Sequence, residues 1–112
     1  MELPAEPAKW SPELSVTPAG DRAAVRLTVS GDLDMVGVQE FLDRTGKLLP
    51  SLTGPLELDL RAVGFIDGAG VRALLQLQHE ASRSGHRITV VAVSPAVALI
   101  LTLLGCEDLG HR

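Results

Sequence analysis

Polar and apolar residues alternate in the first third of the chain and later recur at helical spacing. The alternation is clearest in residues 25–30, where Val and Leu take every second position between polar residues. This pattern predicts a strand over residues 23–30 with one buried face. A shorter alternation predicts a strand over residues 13–17. The turn-forming residues 18–21 between them predict an antiparallel hairpin.

Helical spacing of apolar residues predicts three helices farther along the chain. The first is expected over residues 35–49, with Asp34 as its N-cap, and the second over residues 70–84. Ser94 and Pro95 have the residue types of an N-cap and a first helical residue, so a third helix is expected to follow them. The expected buried side of the second helix consists of Val71, Leu74, Leu75, Leu77, Gln78 and Ala81.

Two mostly apolar segments, residues 56–60 and 88–93, predict the remaining strands, the second of them covered on both faces. The element order is therefore β-β-α-β-α-β-α, with residues 31–34 ending the second strand. Each strand–helix–strand unit implies a parallel, right-handed crossover. We predict an α/β fold in which a mixed four-stranded sheet is flanked by helices, formed by residues 11–108. Residues 1–10 and 109–112 are predicted to be tails.

Composition narrows the classes of function. The chain has 112 residues, one cysteine and a net charge of −4. No basic cluster is present, which argues against a nucleic-acid partner, whereas an acidic protein suits a basic partner surface. No apolar run is long enough to span a bilayer, so no membrane insertion is expected. The lone Cys106 cannot form an internal disulfide, which favours a cytoplasmic location.

The residue types that carry catalysis are scattered. His79, His86 and His111 have no cysteine or carboxylate at the spacing of a metal site or a proton relay. The glycines at positions 64, 68 and 70 match neither a phosphate loop nor a dinucleotide-binding pattern. The sequence therefore predicts no enzyme, no metal and no cofactor.

The segment Asp67-Gly68-Ala69-Gly70 lies between a buried strand and the second helix. Asp67 is a suitable N-cap, and a helix N-terminus favours negative charge in front of it. The two glycines indicate a positive φ, close strand–helix packing, or a bare surface that lets a partner's backbone approach. If the preceding strands are neighbours, Asp32, Asp34 and Asp67 form one acidic rim at the carboxyl edge of the sheet.

Three segments in this order resemble the STAS domain family, and in particular the stand-alone bacterial anti-sigma factor antagonists. They are Gly-Asp-Leu-Asp (31–34), Leu-Asp-Leu-x4-Phe-Ile-Asp-x-x-Gly-Val-x-x-Leu (58–74) and Ile-Thr-Val-Val-Ala-Val-Ser-Pro-Ala-Val (88–97). The resemblance covers residues 11 to 108. It implies a protein partner, an anti-sigma factor that is a serine kinase of the histidine-kinase-like ATPase type, whose binding releases a sigma factor. It assigns partner contact to the two aspartates and the turn residues, and extends it to the helix behind them: Asp34, Asp67, Gly68, Ala69, Gly70, Arg72 and Gln76. We add Asp32 to these predicted contact residues as part of the acidic rim.

In that family the kinase inactivates the antagonist by phosphorylating a serine directly after the motif aspartate. The matching position here is Gly68 and the next is Ala69, so neither can accept phosphate. The resemblance therefore implies an antagonist without a phosphorylation switch at this turn. Two alternatives stay open. One is a STAS adaptor subunit that docks on the ATPase of a lipid-type ABC transporter. The other is a divergent member with a changed partner, or a domain released from a larger regulator.

Overall fold

The computed structural model describes residues 12–20, 23–103 and 105. The predicted element order is confirmed, and a short 3-10 turn (Leu49–Ser51) follows the first helix. The two predicted tails lie outside the described residues, as do Cys106 and His111. The elements are β1 (Glu13–Pro18), β2 (Val25–Leu33), α1 (Val38–Leu48), β3 (Leu56–Ile66), α2 (Gly68–Arg83), β4 (Ile88–Val93) and α3 (Pro95–Leu103).

The four strands form one mixed sheet in the order β1-β2-β3-β4. β1 is antiparallel to β2, and the other two pairs are parallel, as the hairpin and the two crossovers predict. Both crossovers step in the same direction across the sheet. Right-handed connections therefore place α1 and α2 on the same face, where they contact each other. The predicted α/β class and mixed four-stranded sheet are confirmed.

β2 and β3 are longer than the sequence pattern indicates. Residues 31–34 were expected to end the second strand, but Gly31, Asp32 and Leu33 continue β2 beside an extended β3. The pairing survives through two register shifts, and Gly31 adopts a φ of +98°. The extra residue at each shift lies on β3, since residues 28–30 pair with residues 59–62 and residues 31–32 pair with residues 63–65. Such β-bulges let a strand bend while its pairing continues. As a result both strands end together, with Leu33 beside Ile66.

One face of the sheet is apolar and the other is polar. Leu27, Val29 and Leu58 lie on the apolar face, at most 2% exposed, and belong to the same core as Phe41 of α1 and Leu77 of α2. The register places Arg26 and Glu57 side by side on the polar face, where they form an ion pair with an N···O distance of 2.8 Å. Because β2 has one buried face and one polar face, its sequence alternates between apolar and polar residues.

A buried carboxylate, Asp59, is also paired. Arg61 donates to Asp59 from its guanidinium and from its backbone amide. The side-chain hydrogen bond from Arg61 is the main reason that the pKa of Asp59 lies below its ordinary value of 3.8. Because this pKa is lower in the folded protein than in the unfolded chain, the ionised carboxylate stabilises the fold at pH values above the ordinary pKa. The stabilisation is lost as the pH falls through the pKa of the folded state.

Two burial expectations are wrong in detail. On α2, Leu75 is 40% exposed and Gln78 is exposed, whereas Ala73 is buried. The buried side of α2 is therefore rotated toward Ala73 compared with the side predicted from the apolar residues. Burial depends on which side of α2 faces the sheet and α1. β4 was expected to be covered on both faces, but it is an edge strand and Val91 is 40% exposed.

Candidate functional site

Two aspartates follow directly after the ends of two neighbouring parallel strands. Leu33 ends β2 and Ile66 ends β3, and these two residues are paired in the sheet. Asp34 and Asp67 are the next residues, and Asp32 lies just before them on β2. The structure therefore brings Asp32, Asp34 and Asp67 to one edge of the sheet, as the sequence predicted.

The carboxylate of Asp67 binds two segments at once. Its Oδ1 accepts a hydrogen bond from the backbone N–H of Gly70 at 2.9 Å, which caps α2. Its Oδ2 accepts one from the backbone N–H of Met35 at 3.2 Å, in the turn before α1. The predicted N-cap role is confirmed, and α2 begins at Gly68 rather than at Gly70. Asp67 thus fixes the two turns relative to each other.

Asp34 organises the turn before α1. Its Oδ1 accepts hydrogen bonds from the backbone N–H groups of Val36 at 3.1 Å and Gly37 at 2.9 Å. The helix was expected to begin at Met35, but the regular helix begins at Val38. The predicted N-cap role of Asp34 is wrong: Gly37 is the N-cap of α1, and Asp34 instead holds the turn of residues 35–37 that precedes the helix.

The two glycines of the Asp67 turn have different roles. Neither has a positive φ, so that explanation is wrong for both. A Cβ at Gly70 would collide with the backbone carbonyl of Leu33 and would lie 2.7 Å from Cγ1 of Ile66. Close packing explains this residue. A Cβ at Gly68 would meet nothing within 4 Å. Gly68 is therefore bare without any packing requirement.

The remaining predicted contact residues lie along α2. Gly68, Arg72 and Gln76 are spaced four residues apart, so they share one side of the helix, and all three are exposed. The side-chain amide of Gln76 donates to Glu80 at 3.3 Å. Ala69 is only half-buried. The structure joins these residues into a strip that runs from the acidic rim along α2.

The turn before α1 adds two residues that the sequence prediction missed. Met35 is 75% exposed and Val36 is 66% exposed. The prediction had placed them in the first turn of a helix, where apolar residues attract no notice. A spacing could have revealed them: Asp34 and Asp67 are each followed by glycine at the third position. We call residues 32–37 and 67–70, with Arg72 and Gln76, the docking edge.

The structure also bears on metal binding, membrane crossing and cavities elsewhere in the described residues. Among those residues, no group of three or more histidine, cysteine and acidic side chains could hold a metal ion. None of the described helices is long and apolar enough to cross a membrane. Two shallow cavities of about 440 and 620 Å³ meet at His86, at the opposite edge of the sheet from Asp67.

Solved structures with the same architecture include two anti-sigma factor antagonists. The unphosphorylated form of SpoIIAA is 17% identical, with 87% of this chain and 84% of that chain covered and a TM-score of 0.69. An anti-sigma factor antagonist from Mycobacterium paratuberculosis is 23% identical, with coverages of 86% and 81% and a TM-score of 0.70. At these identities the likeness concerns the fold.

The fold also occurs inside a much larger protein. The murine anion transporter Slc26a9 is 21% identical over 77% of this chain but only 14% of its own length, with a TM-score of 0.67. No curated protein matches the chain at a significant level of sequence similarity.

The fold is that of a small α/β domain whose docking edge lies at the carboxyl ends of β2 and β3. A family model described as "Mlab, STAS domain" matches residues 16–111. The chain therefore belongs to the STAS domain family.

Proposed function

We propose that this protein is a cytoplasmic anti-sigma factor antagonist. It binds an anti-sigma factor of the serine-kinase type through the docking edge, and it thereby releases a sigma factor. The observation that carries the proposal is the turn at Asp67: a capped helix start, bare at Gly68, beside an acidic rim. The solved antagonists with the same fold support this choice among the functions of STAS domains.

The absence of a hydroxyl at Gly68 and Ala69 distinguishes this chain from the pattern that it resembles. A phosphoserine at a position next to Asp67 would add about −1.5 to −2 charges near Asp32 and Asp34. Such a charge opposes a complex wherever the partner presents no compensating cation. Without a hydroxyl that accepts phosphate, the chain stays in its binding form at this turn. Its binding is then regulated by something other than phosphorylation of this turn.

The direct test mixes the purified protein with a purified candidate anti-sigma kinase from the same cell, ATP and Mg²⁺. Calorimetry should show a complex, and mass spectrometry should find no phosphate on residues 67–70. Phosphate on that segment would contradict the proposal, as would no binding to any anti-sigma kinase of the cell.

A matched pair of variants asks whether the rest of the site is still a kinase substrate. Gly68→Ser should fold normally, because a Cβ at this position meets nothing within 4 Å. In this variant the kinase should phosphorylate Ser at position 68 and then dissociate. Ala69→Ser is the control, since it places the same hydroxyl one residue away. Phosphate on neither variant would mean that the kinase does not recognise this turn.

A second pair isolates the effect of charge. Gly68→Asp introduces a negative charge at the bare position, and Gly68→Asn introduces a side chain of the same shape without it. We expect Gly68→Asp to weaken binding about tenfold or more relative to Gly68→Asn, because the added carboxylate would be desolvated against the closely packed partner backbone without a cation of its own. Equal affinities would show that this turn lies outside the interface.

A second candidate function is a STAS adaptor subunit that docks on the ATPase of a lipid-type ABC transporter. Two observations favour it: the matching family model carries the name Mlab, and the fold occurs within an anion transporter. Such a subunit has no need of the phosphorylation switch. Neighbouring genes for a transporter, together with calorimetric binding to the purified transporter ATPase and not to the kinase, would select this candidate.

A further inference from the structure

The turn at residues 34–37 displays two apolar side chains beside the bare turn at Asp67. Met35 has the highest exposed fraction, 75%, among the large hydrophobic side chains that the structure describes, and Val36 is 66% exposed. Both lie on the same edge as Asp32 and Asp34. Because the two side chains are adjacent and lie beside the acidic rim, they form a small apolar surface that a partner can cover.

The backbone of this turn is held in place by hydrogen bonds. The amides of Met35, Val36 and Gly37 each donate to a carboxylate, the first to Asp67 and the others to Asp34. The next amide, of Val38, donates to the backbone carbonyl of Asp34 at 2.9 Å. Four successive donors are therefore satisfied. Because the backbone is already ordered, burial by a partner costs these side chains their own rotamer entropy but adds no cost for ordering the backbone.

Packing behind the turn reinforces this order. Gly37 is buried, and a Cβ there would lie 2.8 Å from Cδ of Pro12 and 2.9 Å from the carbonyl of Asp32. The turn is thus seated on β2 and on Pro12, the residue before β1. Its two apolar side chains are carried outward by a fixed support.

The charges around the pair define the chemistry of the partner. Asp32 is exposed on one side, and the carboxylates of Asp34 and Asp67 lie beneath the turn. Interfaces of this kind combine a desolvated apolar centre with a polar rim. The complement is an apolar socket whose border carries arginine or lysine.

We propose that Met35 and Val36 are the apolar anchor of the docking edge and insert together into a basic-rimmed apolar socket on the anti-sigma kinase. This inference rests on the proposed function. It names which side chains supply most of the affinity and assigns the carboxylates to orientation and association rate. Gly68 and Ala69 then lie beside the socket, where their small size allows close approach.

The test uses the full chain and the kinase that binds it in calorimetry. Met35→Gln and Val36→Thr nearly preserve side-chain shape and keep both backbone donors. Their combination should weaken binding at least about tenfold, as expected for truncated anchors at an interface. Leu103→Gln is the matched control because Leu103 is 69% exposed on α3, which follows the far strand β4. This control should bind like the wild type.

Salt separates the apolar anchor from the charged rim. The affinity of the wild type should fall with ionic strength, and Asp32→Asn should reduce that dependence. The Met35→Gln, Val36→Thr double variant should keep the salt dependence of the wild type, since it changes no charge. Urea unfolding of each variant verifies that the fold is intact.

The outcomes distinguish a failure of the proposed function from a failure of the apolar anchor. If the wild type binds no anti-sigma kinase, the proposed function fails and the anchor fails with it. If the wild type binds and the double variant binds equally well, the anchor alone is overturned. An equal loss of affinity in Leu103→Gln would also overturn it, because the effect would then be independent of place.

Discussion

The turns at the starts of α1 and α2 have the same hydrogen-bonded backbone but present different surfaces, one apolar and one nearly bare of side chains. Each begins with an aspartate directly after its strand and has glycine at the third position after that aspartate. In each, Oδ1 of the aspartate accepts from the glycine amide at 2.9 Å. Each glycine is packed so tightly that a Cβ would meet backbone. The repeated unit, Asp-x-x-Gly, supports the docking edge.

The surfaces that the two turns present differ in the residues between the aspartate and the glycine. In the first turn these are Met35 and Val36, which are largely exposed, and in the second they are Gly68 and Ala69. The support satisfies the backbone without using any of these four side chains. Their identities are therefore free to serve contact rather than folding. This separation predicts large stability effects at the supporting positions and small effects at the positions between them.

The largest effect is expected from a methyl group at the supporting glycines. Gly70→Ala should lower the free energy of unfolding by about 3 kcal/mol, because its Cβ would collide with the Leu33 carbonyl and the neighbouring strand must shift. Gly37→Ala should cost about 2 kcal/mol, since its closest backbone neighbour, the carbonyl of Asp32, lies at 2.9 Å. Urea unfolding measures both.

Gly46→Ala is the matched control for these changes. Gly46 lies inside α1 and a Cβ there would meet nothing within 4 Å, so alanine should stabilise the protein by up to about 1 kcal/mol. If Gly70→Ala were as stable as the wild type, the claim that this glycine is required for packing would be wrong.

An intermediate effect should distinguish the two aspartates. Asp67 uses both carboxylate oxygens, one for each turn, whereas Asp34 uses Oδ1 alone for its two amides. Asparagine offers one acceptor oxygen. Asp34→Asn should therefore be nearly neutral, while Asp67→Asn should lose one hydrogen bond and about 1 kcal/mol. Asp67→Ala should cost about 2 kcal/mol, because the cap of α2 is lost as well.

Hydrogen exchange can show which backbone amides each of the two aspartates protects. The amide of Met35 should exchange faster in Asp67→Ala, and in Asp34→Ala the increase should centre on Val36 and Gly37. Unchanged exchange at Met35 in Asp67→Ala would contradict the bridge between the turns.

The sequence predicted much of this region because local rules determine it. Asp67 was identified as a helix cap from its residue type alone. The proximity of Asp32, Asp34 and Asp67 followed from the expectation that parallel strands end at the same edge of the sheet. The extension of β2 through Gly31 was not predictable, because it depends on a bulged pairing with residues of β3 far along the chain. Local alternation carries no signal for such pairing.

Side-chain exposure was the harder part to predict. Leu75 was expected on the buried side of α2, yet the packing of α1 leaves it 40% exposed. Met35 and Val36 were missed because they were expected inside α1, whereas they lie in the turn before it. Helical spacing describes an isolated helix, whereas burial depends on what the rest of the fold places against it.

The smallest effect is expected at the residues between the supports. Gly68→Ala should raise the free energy of unfolding by about 0.5 kcal/mol, because position 68 begins α2, has no positive φ and has room for a methyl group. Val36→Ala should change stability by no more than about 0.5 kcal/mol, since its side chain is 66% exposed. Urea unfolding measures this pair. A loss above about 1 kcal/mol in either variant would show that the side chain is part of the support, and that the division between folding and contact residues does not hold in that turn.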